Sequence, residues 1–122
     1  MVVRAIRGAT QLETDDADHM HERVVELLTG VLEANGLTQD DVISILFTAT
    51  SDLTSAFPAV AARSLGFSDV PLICARELDI AGSLPRAVRL LAHVESPLAK
   101  SDITHVYLHG AVTLRPDLTS AQ

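Results

Sequence analysis

The stretch SLPRAVRLLA, Ser83–Ala92, decides how the sheet of this protein is covered. It follows Gly82 and carries Pro85 near its start, a good position for proline because the first turn of a helix has no use for its missing N–H. Leu84, Val88, Leu91, and Leu90 or Ala92, fall on one side at helical spacing. The pattern predicts an amphipathic helix that opens at Ser83 and carries Arg86 and Arg89.

Working outward, Val70–Cys74 reads as a short strand with proline at its start. Before it, Pro58 opens a helix that runs to about Leu65 and stops at Gly66, entered from a loop at Ser51–Ser55. Val42–Thr50 is β-rich and nearly all apolar, which suits a strand buried on both faces. Thr38 caps a short helical turn to Asp41. Met20, Val24, Leu27, Leu28, Val31 and Leu32 mark one face of a longer helix. Acidic residues from Glu13 to Asp18 favour its N-terminal dipole, and Asn35-Gly36 stops it. Val2–Ile6 reads as a first strand ended by Arg7-Gly8. Downstream, Ile103–Leu108 and Ala111–Leu114 flank His109-Gly110 as a hairpin or bulged strand, and Arg115-Pro116-Asp117 ends regular structure. The order β-α-β-α-β-α-β-β predicts an α/β (α+β) layer, one sheet with helices on one side. Residues 1–117 are expected to form a single domain and 118–122 a flexible tail.

Composition narrows the function. A net charge of −7 leaves no basic stripe to neutralise phosphates, so nucleic acid is not expected as a partner. No apolar run approaches the roughly 20 residues that span a bilayer, and MVVRAIRGAT lacks a signal-peptide core, so a soluble cytoplasmic protein is expected. One cysteine, Cys74, excludes an internal disulfide and a cysteine-based zinc cluster. A chain of 122 residues buries only about two-thirds of its unfolded surface, so association would help it.

Cys74 lies in ICARELDIAG, Ile73–Gly82, and has three readings: nucleophile, weak hydrogen-bonding partner of a ligand, or small packing residue. A nucleophile needs a base with its own orienting group. No such motif accompanies His19, His21, His93, His105 or His109, so packing is favoured. His19-x-His21 puts its rings on different sides of a helix and is not a metal site. The arginines carry more. Arg7 and Arg115 end strands, and Arg86 and Arg89 follow Gly82. Strand ends and helix entries of such layers converge where ligands bind, and several arginines with Glu77 would suit a small polycarboxylate.

Four segments, RAIRGAT (Arg4–Thr10), TSDLTSAFPA (Thr50–Ala59), CARELDIAGSLPRAVRLL (Cys74–Leu91) and HVYLHGAVTLRPDL (His105–Leu118), resemble in order the monofunctional chorismate mutases of the α/β-barrel type, as distinct from the all-helical ones. The resemblance implies a ferredoxin-like layer in each subunit. Three subunits would form a homotrimer with a pseudo-α/β-barrel core and active sites between neighbours. It implies rearrangement of chorismate to prephenate in phenylalanine and tyrosine biosynthesis, with no cofactor and no metal. By motif position, Arg89 would face the substrate's ether oxygen, Arg7 and Tyr107 would hold a carboxylate, and Glu77 and Cys74 would contact the ring hydroxyl. Phe57, Ala59, Ile73 and Leu114 would line the pocket, with Arg63 and Arg115 at its mouth. One departure is Val60, where family members can carry a lysine after FPA. The competing readings are a trimeric metabolite-binding or imine-deaminating protein of the same architecture and, less favoured, a cysteine-dependent hydrolase. Arg7, Glu77 and Arg89 together weigh against the first, since a repurposed cleft has no need of all three.

Overall fold

A computed structural model of the chain describes residues 1–114. Its five strands are β1 (Val2–Gln11), β2 (Val42–Ala49), β3 (Leu72–Arg76), β4 (Ala87–Ser96) and β5 (Val106–Tyr107). Two helices, α1 (Ala17–Ala34) and α2 (Pro58–Ser64), complete the layer, with 3-10 turns at Gln39–Asp41, Lys100–Asp102 and His109–Leu114. The sheet order is β3-β2-β4-β1-β5. β4 runs antiparallel to β1 and β2, whereas β2/β3 and β1/β5 are parallel.

α1 forms where its apolar spacing predicts. Asp16 caps it by accepting the His19 N–H at 3.0 Å, and Met20, Val24, Leu27, Leu28 and Val31 are buried. Burial of each such side chain is worth roughly 1.5–3 kcal/mol, so docking decides where the helix lies more than propensity does. At its end, Asn35 is buried but satisfied. Its Nδ2 donates to the carbonyls of Val31 and Thr104, both at 2.9 Å, and its Oδ1 accepts from the Thr104 amide at 2.8 Å. Gly36 then takes φ +63°, as a helix stop requires. Pro58 opens α2 and Gly66, at φ +103°, follows it.

Strand alternation divides the sheet into two faces. Ile6, Ile45, Phe47, Val88, Leu90, Ala92 and Val94 are buried in the core with α1 and α2. The alternate residues make an open face that no helix covers. On it Val3 is 58% exposed and Ile73 65%, with Leu46 also exposed. A sheet with helices on one side is what the sequence pattern predicts.

Three local expectations are overturned. The helix expected from Ser83 is instead an entry loop and the central strand β4. Val88, Leu90, Ala92, Val94 and Ser96 are buried toward the helices, while Arg89, Leu91, His93 and Glu95 take the open face. Its nearly continuous apolar run satisfies helical spacing and strand alternation alike, and pairing along both edges settles the choice. β1 does not end at Arg7-Gly8 but continues to Gln11. Gly8 serves close packing: a Cβ there would lie 3.2 Å from Leu27 and Leu90. Finally, the expected C-terminal hairpin is replaced by the two-residue β5, parallel to β1, and the His109–Leu114 turn. Gly110 packs against the amide end of the Gln11 side chain, which would have to move to admit a Cβ there. Arg115 and the expected tail lie outside the described residues.

Candidate active site

Register builds the first cluster. Ala9 of β1 pairs with Arg89 of β4, Arg89 with Thr48 of β2, and Thr48 with Ala75 of β3, while Tyr107 of β5 pairs with Ala9. Paired residues project to the same face, so Arg89, Thr48 and Tyr107 form one row across the open side. Arg7 lies two residues before Ala9, on the same face. Glu77 follows β3, its amide bonded to the Ala49 carbonyl at 3.0 Å, and its side chain turns onto this row. Its Oε2 meets Arg89 Nε at 3.4 Å and also accepts the Thr48 hydroxyl. The Glu77 side chain is 17% exposed and that of Arg89 45%, so the pair sits at the edge of solvent.

Arg7 has its amide bonded to Nδ1 of His105 at 2.9 Å, which fixes that nitrogen as an acceptor. Its own Nε is buried and has no hydrogen-bond partner among the described residues. A buried guanidinium donor without an acceptor is an energetic liability unless a ligand meets it.

The second cluster lies across the sheet from the first. Cys74 pairs with Phe47 and packs against the core, so it takes the helix-covered face, opposite Glu77's neighbours. It lines a cleft of ≈ 440 Å³ with Ala49, Thr50, Ala56, Phe57 and Arg76. No histidine lines this cleft, so Cys74 has no base there. Phe57 is 70% exposed at the rim. The loop that presents it is tied down by Asp15, which accepts from the amide and hydroxyl of Thr54 and from the amide of Ser55 at 2.9–3.1 Å. The side chain of Ser55, then that of Thr54, holds the Asp15 carboxyl below its ordinary range.

Within one chain the expected site residues therefore separate. Arg7, Glu77, Arg89 and Tyr107 share the open face, and Phe57 and Cys74 share the cleft. Ile73 projects from the open face one row away, paired with Leu46. Ala59, expected to line the pocket, is buried in the core instead, because it falls on the inner side of α2. Arg63 lines a different hollow, with Phe67, Ser68, Val70 and Leu72. Leu114 ends the last 3-10 turn. Arg89 reaches the site from a strand rather than a helix. Arg86 is structural: at φ +49° its amide donates to Asp52 and its Nε donates to the Leu12 carbonyl at 3.0 Å. Thr48 was missed. Its only signal was a hydroxyl in the apolar run VISILFTA, on the parity of Ser44 and Leu46.

A carboxylate-anchored arginine, a second arginine with an unmet donor and a cysteine without a base define a class. Such a set of groups is suited to bind and polarise a small anionic molecule. Comparisons with known proteins identify the family. Residues 3–118 match the family model for chorismate mutase type I. The chorismate mutase AroH of Thermus thermophilus is 49% identical over 122 residues, covering 99% of this chain and all of that one. The chorismate mutase AroH of Bacillus subtilis is 39% identical over 120 residues, covering 98% and 94%. A solved chorismate mutase from Clostridium thermocellum superposes with a TM-score of 0.89 at 46% identity, covering 90% of this chain and 98% of that one. The chain belongs to the type I chorismate mutase family.

Proposed function

We propose that this chain converts chorismate to prephenate in the cytoplasm, and that it works as a homotrimer with its active sites between subunits. The observation that carries the proposal is the Glu77–Arg89 pair, 3.4 Å apart on the open sheet face. The rearrangement is intramolecular. The ether C–O bond breaks as a new C–C bond forms, and no proton enters or leaves. A protein accelerates it by holding the flexible dicarboxylate in its compact reactive conformer and by stabilising charge that grows on the ether oxygen.

In this reading Arg89 faces the ether oxygen with the guanidinium edge that Glu77 leaves free. Glu77 accepts the ring hydroxyl. Arg7 meets a carboxylate with its unpartnered Nε, assisted by Tyr107. Phe57, Ile73 and Leu114 form apolar walls, and Cys74 contributes to the hydroxyl contact from a neighbouring copy. Arg63 and Arg115 add positive field at the mouth, and with Val60 in place of a lysine the binding leans on them.

Two features support a site shared between chains. The charged row and the Phe57–Cys74 cleft lie on opposite faces of one sheet, so a single chain does not close them around one molecule. The open face also carries exposed Val3, Leu46 and Ile73, the kind of apolar surface that association covers. The test is direct: purified protein is mixed with chorismate, loss of the substrate's ultraviolet absorbance is followed, and the product is identified as prephenate. An inert protein refutes the proposal.

A further inference from the structure

We infer that Thr48 is a positioning residue, whose hydroxyl holds Glu77 in a monodentate pose and so keeps the outer edge of Arg89 free for substrate. The inference rests on the functional reading above.

Arginine and a carboxylate prefer to pair fork to fork, through two parallel N–H···O bonds. Here they do not. They approach through Nε of Arg89 and Oε2 of Glu77 at 3.4 Å, an ion pair without the two parallel hydrogen bonds of the fork. The same Oε2 accepts a hydrogen bond from the Thr48 hydroxyl, and Oε1 has no hydrogen bond to any described residue. With Oε2 held by the Thr48 hydroxyl beside its ion pair with Arg89, the carboxylate cannot turn both oxygens to the guanidinium without breaking the hydroxyl bond. The other constraints point the same way. The Glu77 backbone is fixed by its amide bond to Ala49, the residue after Thr48 on β2. Thr48 is itself held between Arg89 on one side and Ala75 on the other by the pairing of three strands. Its position is set by the sheet, so the hydroxyl is a fixed reference point for an acid that lies beyond the end of β3.

Removal of that hydroxyl would allow Glu77 to swing into the bidentate arrangement. Two N–H groups of Arg89 would then be engaged by protein, and both Glu77 oxygens would be occupied. Oε1 would no longer be ready for the substrate hydroxyl, and the arginine edge would no longer meet the ether oxygen. Threonine at this position thus protects the two charges from neutralising each other.

The experiment compares Thr48→Val, which keeps the β-branched shape preferred in a strand, with Thr48→Ser, which keeps the hydroxyl. Turnover of chorismate is measured alongside thermal unfolding. Hydrogen bonds to charged groups set the scale, so Thr48→Val should lose about ten- to a hundredfold in kcat/KM, with much of the loss in kcat. Thr48→Ser should stay within roughly threefold of the parent, and both variants should unfold at nearly the parent temperature. On a Glu77→Ala background, Thr48→Val should add little further loss, because the group it positions is gone. A fully active Thr48→Val, an equally impaired Thr48→Ser, or an undiminished Thr48→Val effect without Glu77 overturns the inference while the chorismate mutase reading stands. A parent protein inert toward chorismate overturns both.

Discussion

The charged row on the open face and the cleft beside Phe57 are built on opposite principles. In the row, Arg89, Thr48 and Tyr107 are aligned by strand register, and Glu77 is drawn in from the end of β3 by the Thr48 hydroxyl and the Arg89 charge. The cleft is shaped by a loop, Thr50–Phe57, anchored through Asp15, and its lining is mostly small or apolar. A sheet can hold charges to the tolerance that electrostatic stabilisation demands, and a loop can adapt its walls to the outline of a substrate. On the proposed function, chemistry falls to the rigid part and fit to the adjustable part.

The comparison is most sharply tested at Arg89. Arg89→Ala should lower turnover by on the order of a hundredfold or more, with little change in folding because the side chain is half exposed. Near-normal kcat would end the claim that the row carries the chemistry.

Complementation tests whether the two regions serve one site from different chains. Phe57→Asp sets a negative charge at the cleft rim and should repel a dicarboxylate, so it should be as inactive as Arg89→Ala. After subunits of the two variants are mixed and exchanged, some interfaces would join an intact row to an intact cleft, and activity should reappear. No recovery in a demonstrably mixed oligomer would mean that both regions act within one chain. Dilution below the assembly constant should likewise reduce the parent's specific activity.

Cys74→Ser should matter less. It exchanges one small polar group for another at a half-buried position that lacks a base, so activity should stay within about tenfold of the parent, and alkylation should give no turnover-linked burst. Complete loss in a folded Cys74→Ser protein would restore the hydrolase reading.

The smallest effect is expected at Asp15. Its folded-state carboxyl is held below the ordinary range by Ser55 and Thr54, so the associated stability is present above the unfolded value and lost as pH falls through the folded one. Asp15→Asn should therefore flatten the acid side of the stability–pH curve and raise KM slightly through a looser Phe57 loop. An unchanged acid limb in equilibrium unfolding would show that the anchor has no energetic role.

The legibility of these features in the sequence follows their range. α1, Pro58 and the stop at Gly36 depend on residues within a few positions of one another, and local spacing reveals them. β4 does not, because a central strand buried against helices reads like the helix it resembles until its partners are known. Arg7, Arg89 and Glu77 stand out in the sequence as candidates for holding a polycarboxylate, whereas Tyr107 and the separate roles come only from the resemblance to a family. Spacing does not show that they meet, since a strand register joins positions up to 98 residues apart and leaves no local mark. Thr48 shows the limit most clearly. Its partner is 29 residues away, and nothing in VISILFTA indicates that this hydroxyl reaches Glu77, whereas that of Thr50 meets an acid only two residues on, Asp52.

Tyr107 stands beside Ala9 on the active row, and the chain contains no other tyrosine and no tryptophan. Its ring is therefore the dominant intrinsic fluorophore of the molecule, already seated where the substrate's carboxylate is expected. Emission from the unlabelled protein reports on this corner with almost no background from elsewhere. The binding of non-reacting dicarboxylates, and the separation of subunits on dilution, can both be followed by light from a single residue.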